Sequence, residues 1–176
     1  IAGQGTVGLE MAEHCGALGI VPDAAIVPCS GGGLIAGCAI ALKHTYPEID
    51  VLAAEPEGFD DTVRSLNEGK RVSNTASTGS ICDALLVPLP GELTFAINKT
   101  FLAGGIAVSD QEVRNAISAA FSDTRLVIEP GGAAGLAAAM KNKERFAGQT
   151  VCIVLSGGNA DPALFAEILS GDAQSL

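Results

Sequence analysis

The chain has 176 residues, a length typical of one domain or two small ones. Asp and Glu total 20 against 10 for Lys and Arg, so the net charge is -10, and there is no Trp. An acidic chain with few aromatic residues lacks the basic face and the stacking platform of a nucleic-acid binder, and it lacks the basic surface that binds an anionic membrane.

The chain is rich in apolar and small residues. Hydrophobic residues make up 48% of it, there are 22 glycines, and charged residues are 17%, against about 25% in an average domain. Its longest apolar run, Leu34 to Leu42, is about half of the roughly 20 residues that a membrane-spanning helix needs. We therefore expect no membrane segment, and we expect the surplus apolar surface to be buried by a missing domain or in a homo-oligomer, a dimer or tetramer.

Cysteine usage and the start of the chain indicate its setting. The five cysteines are scattered, and no two have C-x-x-C spacing: Cys15, Cys29, Cys38, Cys82 and Cys152. Free thiols and the lack of a signal peptide are typical of a cytoplasmic protein. The chain opens at Ile1 without a Met, so we expect it to be a fragment.

The first half of the chain predicts two helices and two buried strands. Helices are expected over 6–18 and over 34–46, where Pro47 stops the second one. The runs Ala24-Ala25-Ile26-Val27 and Val51-Leu52-Ala53-Ala54 are apolar without alternation, as in strands that are covered on both faces.

The second half continues this pattern. Strands are predicted over 106–108, 126–128 and 151–155. A capping box, Ser109 to Glu112, begins one helix, and Asp161-Pro162 begins another. Alternating strands and helices predict an α/β fold in which a parallel sheet lies between two layers of helices, and in such sheets ligands bind beyond the carboxyl ends of the strands.

A glycine-rich loop joins the strand 24–27 to the helix 34–46, with the sequence Cys29-Ser30-Gly31-Gly32-Gly33-Leu34. Three glycines leave no Cβ to keep the backbone away from a ligand, and their amides converge with the free amides of the helix N-terminus. The helix dipole adds positive potential, and Ser30 offers a hydroxyl. This pattern indicates a phosphate site, and the alternative is a flexible turn.

Two later strand ends carry polar side chains that face the same crevice in this fold class. Ser156 follows the strand 151–155 and precedes two glycines, so it is placed to touch a ligand unless the segment is an ordinary turn. Glu129 stands before Pro130 and a run of small residues, so it either faces the ligand or caps a closely packed helix.

Carboxylates cluster after the strand 51–54. Glu55 ends that strand, and Asp60-Asp61 follow. Mg²⁺ and Ca²⁺ take carboxylate and carbonyl oxygens as ligands, so these residues are candidates for a cation site. Asp60 or Asp61 fits equally as the cap of a helix over 62–66.

The segment Gly3-Gln4-Gly5-Thr6-Val7-Gly8 matches the G-x-G-x-x-G fingerprint of dinucleotide-binding proteins letter by letter. That fingerprint requires a strand before it, and here it is preceded by Ile1 and Ala2 alone. A nicotinamide site is therefore the less favoured hypothesis.

The order of these motifs resembles the threonine/serine dehydratase and serine racemase family, which are fold-type II pyridoxal-phosphate enzymes. The resemblance extends from Ile1 to about Asp161, and Ser80–Leu85 makes it most like a bacterial threonine dehydratase. It implies a three-layer α/β fold similar to the tryptophan synthase β subunit, of which 1–176 would be the large cofactor-binding domain. It rests on the segments Gly3–Thr6, Ser30–Leu34, Ala54–Pro56, Glu129–Ala133 and Leu155–Asn159.

The resemblance also implies roles for single residues. Ser156 would hydrogen-bond the pyridine nitrogen, and since a neutral Ser does not enforce protonation there, the ring is a weaker electron sink, which suits β-elimination over transamination. Glu129 would be an acid near the cofactor. Glu55, the carbonyl of Phe59 and Asp61 match positions where relatives bind a divalent cation, Mg²⁺ or Ca²⁺. The cofactor phosphate would be held by Ser30, Gly31, Gly32, Gly33 and Leu34.

Two departures from the family pattern stand out. Ala84-Leu85 replaces the usual Gly-Val, which adds side-chain volume near the cofactor and changes the expected shape of the pocket. We expect the family's Schiff-base lysine and most of its small domain to lie upstream of Ile1, because no lysine of this chain has the Ser-x-Lys-x-Arg context. The five lysines are Lys43, Lys70, Lys99, Lys141 and Lys143.

The function that the resemblance implies is elimination of water from L-threonine or L-serine, a small amino-acid substrate, to give a 2-oxo acid and ammonia. No catalytic residue for this reaction is expected within the chain itself. Serine racemase and 3-hydroxyaspartate dehydratase are the alternatives in the same class. A non-catalytic binding module built on the same fold is the alternative from another class.

Overall fold

A computed structural model describes residues 1–172 of the chain. In this part strands and helices alternate, and a short 3-10 turn spans Asp83–Leu85. The elements are α1 Gly5–Ala17, β1 Ala24–Pro28, α2 Gly33–Thr45, β2 Asp50–Pro56, α3 Asp61–Glu68, α4 Glu92–Phe101, β3 Gly104–Val108, α5 Asp110–Thr124, α6 Pro130–Lys141, β4 Val151–Ile153 and α7 Pro162–Asp172.

The strands form one sheet of four in the order β3-β2-β1-β4, and every neighbouring pair is parallel. β1 lies in the interior of the sheet, where Ala24 pairs with Asp50 of β2 on one side and with Val151 of β4 on the other. Every residue of β1 is buried, which explains its unbroken apolar run. The predicted α/β fold with a parallel sheet is confirmed.

Helices cover both faces of the sheet, so the fold has three layers. On one face Ile26 packs in a core with residues of α5 and α6, Ile117 among them. On the other face Val27 packs in a second core with residues of α1 and α2, Leu42 among them. Because successive strand residues point to opposite faces, Ile26 and Val27 contribute to different cores.

Two helices begin where the sequence predicts. At the start of α5 the amide of Glu112 donates to the Ser109 hydroxyl at 3.3 Å, and the amide of Ser109 donates to the Glu112 carboxylate at 2.8 Å. At the start of α7 the amide of Leu164 donates to Asp161 Oδ1 at 2.8 Å. The capping box and the Asp161 N-cap are therefore confirmed.

The predicted strand over 126–128 is wrong. Arg125 has a φ of 63° and ends α5, and the next residues, Leu126 and Val127, are 46% and 50% exposed. This short segment turns the chain from α5 to α6, and Ile128 alone of the three is buried, so it supplies a core contact without pairing to the sheet. A short apolar run does not by itself distinguish these cases.

The helix α4 has no counterpart among the sequence predictions. Its N-cap, Gly91, makes no side-chain hydrogen bond, and Asn98 fills a buried position at which helix periodicity favours an apolar residue. The strand predicted over 151–155 is shorter than expected and ends at Ile153, although the amide of Val154 still donates to the Ile26 carbonyl at 3.0 Å.

Several apolar side chains remain on the surface of the described residues. Leu18 and Val21 are each 72% exposed, and Leu93 is 68% exposed. Within residues 1–172, no helix has both the length and the hydrophobicity that crossing a bilayer requires. The burial of this surface by another domain or a second copy stays a prediction.

Candidate functional site

A cleft of about 230 Å³ opens beyond the carboxyl end of β1. It brings together the glycine loop, the start of α6 and the end of the β4 strand, three regions that are far apart in the sequence. The residues that line it are Pro28, Ser30, Gly31, Gly32, Gly33, Leu34, Ala84, Leu85, Glu129, Gly131 and Ser156. Every residue predicted to bind the cofactor is therefore a wall residue of one cleft.

The glycine loop forms one wall. Gly32 is the N-cap of α2 and has a φ of 84°, a conformation that residues with a side chain rarely adopt. A Cβ placed on Gly31 or Gly33 would meet no atom within 4 Å, so these two backbone positions face open space. Free amides at the N-terminus of a 13-residue helix give this wall a positive potential that suits a phosphate.

The opposite wall combines Glu129 and Ser156. The amide of Asn159 donates to Glu129 Oε2 at 3.0 Å, and the amide of Glu129 donates to the Gly157 carbonyl at 3.3 Å. Gly157 has a φ of 80°, and a Cβ there would overlap the Glu129 carboxylate. The carboxylate is thus held against the turn that carries the Ser156 hydroxyl.

The helix α6 approaches this turn closely because its first residues are small. A Cβ on Gly132 would overlap the Ser156 carbonyl oxygen, and one on Gly135 would lie 3.2 Å from the Val154 carbonyl oxygen. A side chain at Gly132 is excluded and one at Gly135 would be crowded, so the backbone of α6 rests directly on the end of β4.

The two residues that depart from the family pattern, Ala84 and Leu85, line the same cleft. A Cβ on Gly131 would lie 3.2 Å from Leu85 Cγ and 3.4 Å from Ala84 Cβ, so this side of the cleft is already filled. Pro28 and Gly131 are wall residues that sequence reasoning did not single out. Both adjoin a predicted motif, and that adjacency was the available signal.

The carboxylates after β2 have a structural arrangement of their own. Glu55 is fully buried, and its two oxygens accept the amides of Thr62 at 3.1 Å and Val63 at 2.9 Å. The sequence predicted Asp60 or Asp61 as the cap of this helix, but the capping carboxylate comes from the preceding strand. Burial raises the pKa of Glu55 to about 8.

The predicted cation ligands therefore have other partners here. Asp61 Oδ1 accepts the side-chain amide of Asn74 at 2.6 Å, while Asp61 Oδ2 is buried without a partner. Among residues 1–172 no three His, Cys, Asp or Glu side chains are grouped as metal ligands. With both Glu55 oxygens committed to α3, the set of Glu55, Phe59 and Asp61 does not fit a cation as arranged, and the metal stays a prediction.

The G-x-G-x-x-G segment lies at the start of α1 and serves helix packing. A Cβ on Gly8 would lie 2.8 Å from the Cys38 carbonyl oxygen, and one on Gly5 would lie 3.1 Å from the Gly37 carbonyl oxygen. These glycines let α1 and α2 touch backbone to backbone. They explain the fingerprint without a dinucleotide.

The five lysines, all within the described part of the chain, lie away from the cleft walls. Lys141 Nζ bonds to Glu57 at 3.2 Å and to Glu112 at 3.1 Å, and Lys99 Nζ donates to the Gly69 carbonyl at 2.8 Å. These amines stabilise surface contacts between elements.

The fold and the cleft together define a class of protein, one that holds a phosphate-bearing ring between a helix N-terminus and a strand-end hydroxyl. The comparison with family models agrees: residues 1–157 match the family described as pyridoxal-phosphate dependent enzyme. The chain belongs to this family. The glycine loop fits the phosphate of that cofactor and Ser156 fits its ring nitrogen, as the cleft geometry requires.

Individual relatives narrow the comparison. The chain is 39% identical to the beta-hydroxyaspartate dehydratase of Paracoccus denitrificans over 92% of its length, and 40% identical to the serine racemase of Dictyostelium discoideum over 97%. Among solved structures, the threonine deaminase of T.th. superposes with a TM-score of 0.87 at 40% identity, over 90% of this chain and 56% of that one. The chain spans about half the length of the curated relatives, 49% and 52%.

Proposed function

We propose that this chain is the cofactor-binding part of an enzyme that eliminates water from L-threonine or L-serine, giving a 2-oxo acid and ammonia. The observation that supports this proposal most is the convergence of the glycine loop, Glu129 and Ser156 on one cleft. The similarity to a threonine deaminase and to a dehydratase of another β-hydroxy amino acid supports the choice of reaction.

In this proposal the chain's own residues hold and polarise the cofactor. The amides of the loop Ser30–Leu34 and the dipole of α2 offset the charge of the phosphate. The Ser156 hydroxyl bonds the ring nitrogen, and Glu129 stands beside it as a fixed carboxylate. When bound, the pyridine ring withdraws electrons from the α-carbon of the amino acid, which lowers the barrier to losing the α-proton and then the β-hydroxyl.

The lysine that carries the cofactor is proposed to come from a segment outside this chain. Every lysine of the chain lies away from the cleft, so none is placed to reach a ring held between Gly32 and Ser156. The length of the relatives supports a second, smaller domain that supplies this lysine and closes the cleft. We also propose a cytoplasmic homo-oligomer, a dimer or tetramer, on the apolar composition.

The substrate is to be identified by its product. The full-length protein, reconstituted with pyridoxal phosphate, is incubated separately with L-threonine, L-serine and 3-hydroxyaspartate, and 2-oxobutyrate, pyruvate, oxaloacetate and D-serine are quantified. Predominant 2-oxo acid from threonine or serine supports the proposal. Predominant oxaloacetate or D-serine instead assigns the hydroxyaspartate dehydratase or the racemase reaction.

Two controls separate cofactor binding from turnover. Ser156→Ala is expected to lower turnover while the protein still folds, because the half-buried hydroxyl lies at a strand end. Cofactor binding without turnover of any of the three amino acids would instead identify a non-catalytic binding module. Failure to bind the cofactor at all would overturn the proposal.

A further inference from the structure

The start of α4 contacts the glycine loop from behind. The Thr94 hydroxyl donates to the Gly31 carbonyl oxygen at 2.5 Å, and the amide of Gly91 donates to the same oxygen at 3.4 Å. Neither Thr94 nor Gly91 lines the cleft. One carbonyl of the phosphate loop is therefore anchored to a helix that does not touch the site.

This anchor fixes the direction of a neighbouring amide. In a planar trans peptide the carbonyl and the N–H point in opposite directions, so the N–H of Gly32 points away from α4 when the Gly31 carbonyl points toward it. No residue of α4 is among the cleft walls, so the direction away from α4 is the cleft side. The Gly32 amide is thereby presented to an anion in the loop.

Without the anchor the loop has an alternative conformation. Two successive glycines have no Cβ to restrict rotation of the peptide between them. If the Gly31–Gly32 peptide turned over, it would present a carbonyl oxygen to the phosphate in place of an N–H, and the interaction would change from attraction to repulsion. A hydrogen bond to the Gly31 carbonyl opposes that rotation.

The packing of α4 shows that the contact is close. A Cβ on Gly91 would lie 2.6 Å from Thr94 Oγ1 and 3.1 Å from the Gly31 carbonyl oxygen, so glycine at 91 gives the hydroxyl room to reach the loop. A Cβ on Gly32 would lie 2.7 Å from Asn98 Nδ2 and 3.1 Å from Thr94 Cβ. The loop is thus seated on three residues of one helix start.

We propose that Thr94 is a positioning residue for the phosphate site: its hydroxyl holds the Gly31–Gly32 peptide in the orientation that donates to the anion. This inference rests on the proposed function, because it concerns the same cofactor site. It makes the second helix along the chain from the loop, α4, part of the machinery that binds phosphate, although α4 carries none of the residues in contact with the ligand.

The test compares two ligands that differ in the phosphate alone. Cofactor-free full-length protein is titrated with pyridoxal phosphate and with pyridoxal, and binding is followed by the visible absorption of the bound ring. Thr94→Val removes the hydroxyl and keeps the size of the side chain. We expect it to weaken pyridoxal phosphate binding about tenfold and to leave pyridoxal binding unchanged, since one positioned hydrogen bond is lost at the phosphate.

Two variants control for a general effect on folding. Thr94→Ser keeps the hydroxyl and is expected to restore wild-type affinity. Thr100→Val removes a hydroxyl from the same helix, where it bonds to the Ala96 carbonyl at 3.2 Å on the exposed side, and is expected to change neither affinity. If Thr94→Val does not fold, Thr94→Ala carries the same measurements.

The outcomes separate the two proposals. A wild-type protein that does not bind pyridoxal phosphate overturns the proposed function itself. A wild-type protein that binds it while Thr94→Val binds it equally well overturns the role of Thr94 alone. Equal weakening of both ligands, absence of rescue by Thr94→Ser, or failure of both substitutions to fold would mark Thr94 as a general structural residue and also overturn that role.

Discussion

Substitution of Gly32 by Ala tests the central claim about the loop. An alanine there must adopt a φ of 84°, which costs about 1–2 kcal/mol, and its Cβ would lie 2.7 Å from Asn98 Nδ2, an overpacking that typically costs about 1–3 kcal/mol more. The expected loss of folding free energy in the cofactor-free protein is therefore about 2–5 kcal/mol. Gly33→Ala is the matched control, because its Cβ meets no atom within 4 Å.

The assay is denaturant unfolding of the cofactor-free full-length protein, read as a shift of the midpoint. A double-mutant cycle divides the cost: in an Asn98→Ala background the steric part of the Gly32→Ala effect is relieved and the backbone part remains. Equal stability of Gly32→Ala and Gly33→Ala would refute the reasoning, and so would additivity of Gly32→Ala with Asn98→Ala.

Three further predictions concern other parts of the molecule. Because burial raises the pKa of Glu55 from 4.5 to about 8, stability should fall by at most about 5 kcal/mol as the pH rises between these values, and Glu55→Gln should abolish the fall in pH-dependent unfolding with EDTA present. Ser156→Ala should weaken pyridoxal phosphate binding about tenfold with an unchanged unfolding midpoint, measured by titration and thermal unfolding. Leu85→Val enlarges the cleft opposite Gly131, and a substrate series should show a relative gain in kcat/KM for bulkier amino acids; an unchanged ranking would contradict a wall role for Leu85.

Local signals in the sequence were sufficient for much of the fold. The apolar run 24–27 predicts a strand covered on both faces, and Ser109 with Glu112 predicts the start of α5, because both depend on neighbours in the chain. The residues of the cleft were equally predictable, since strand ends followed by glycines meet at one edge of a parallel sheet.

What the sequence could not reveal depends on contacts between distant segments. The cap of α3 is Glu55, and nothing in the spacing of Glu55 and Thr62 indicates that the carboxylate reaches back to that amide. The helix α4 lacks a capping side chain, and its buried Asn98 faces Gly32, which lies far earlier in the chain. The segment 126–128 is apolar because of Ile128, whose burial is a tertiary contact.

The close seating of α6 on the end of β4 has a consequence for local unfolding. α6 contains Gly131, Gly132 and Gly135, and each glycine in a helix interior costs about 1 kcal/mol relative to alanine, so the helix has little intrinsic stability. Its order depends on the sheet edge against which its backbone lies. When β4 opens, α6 should lose protection from hydrogen exchange at the same time, and Glu129 and Ser156 would then leave their positions as a single cooperative unit.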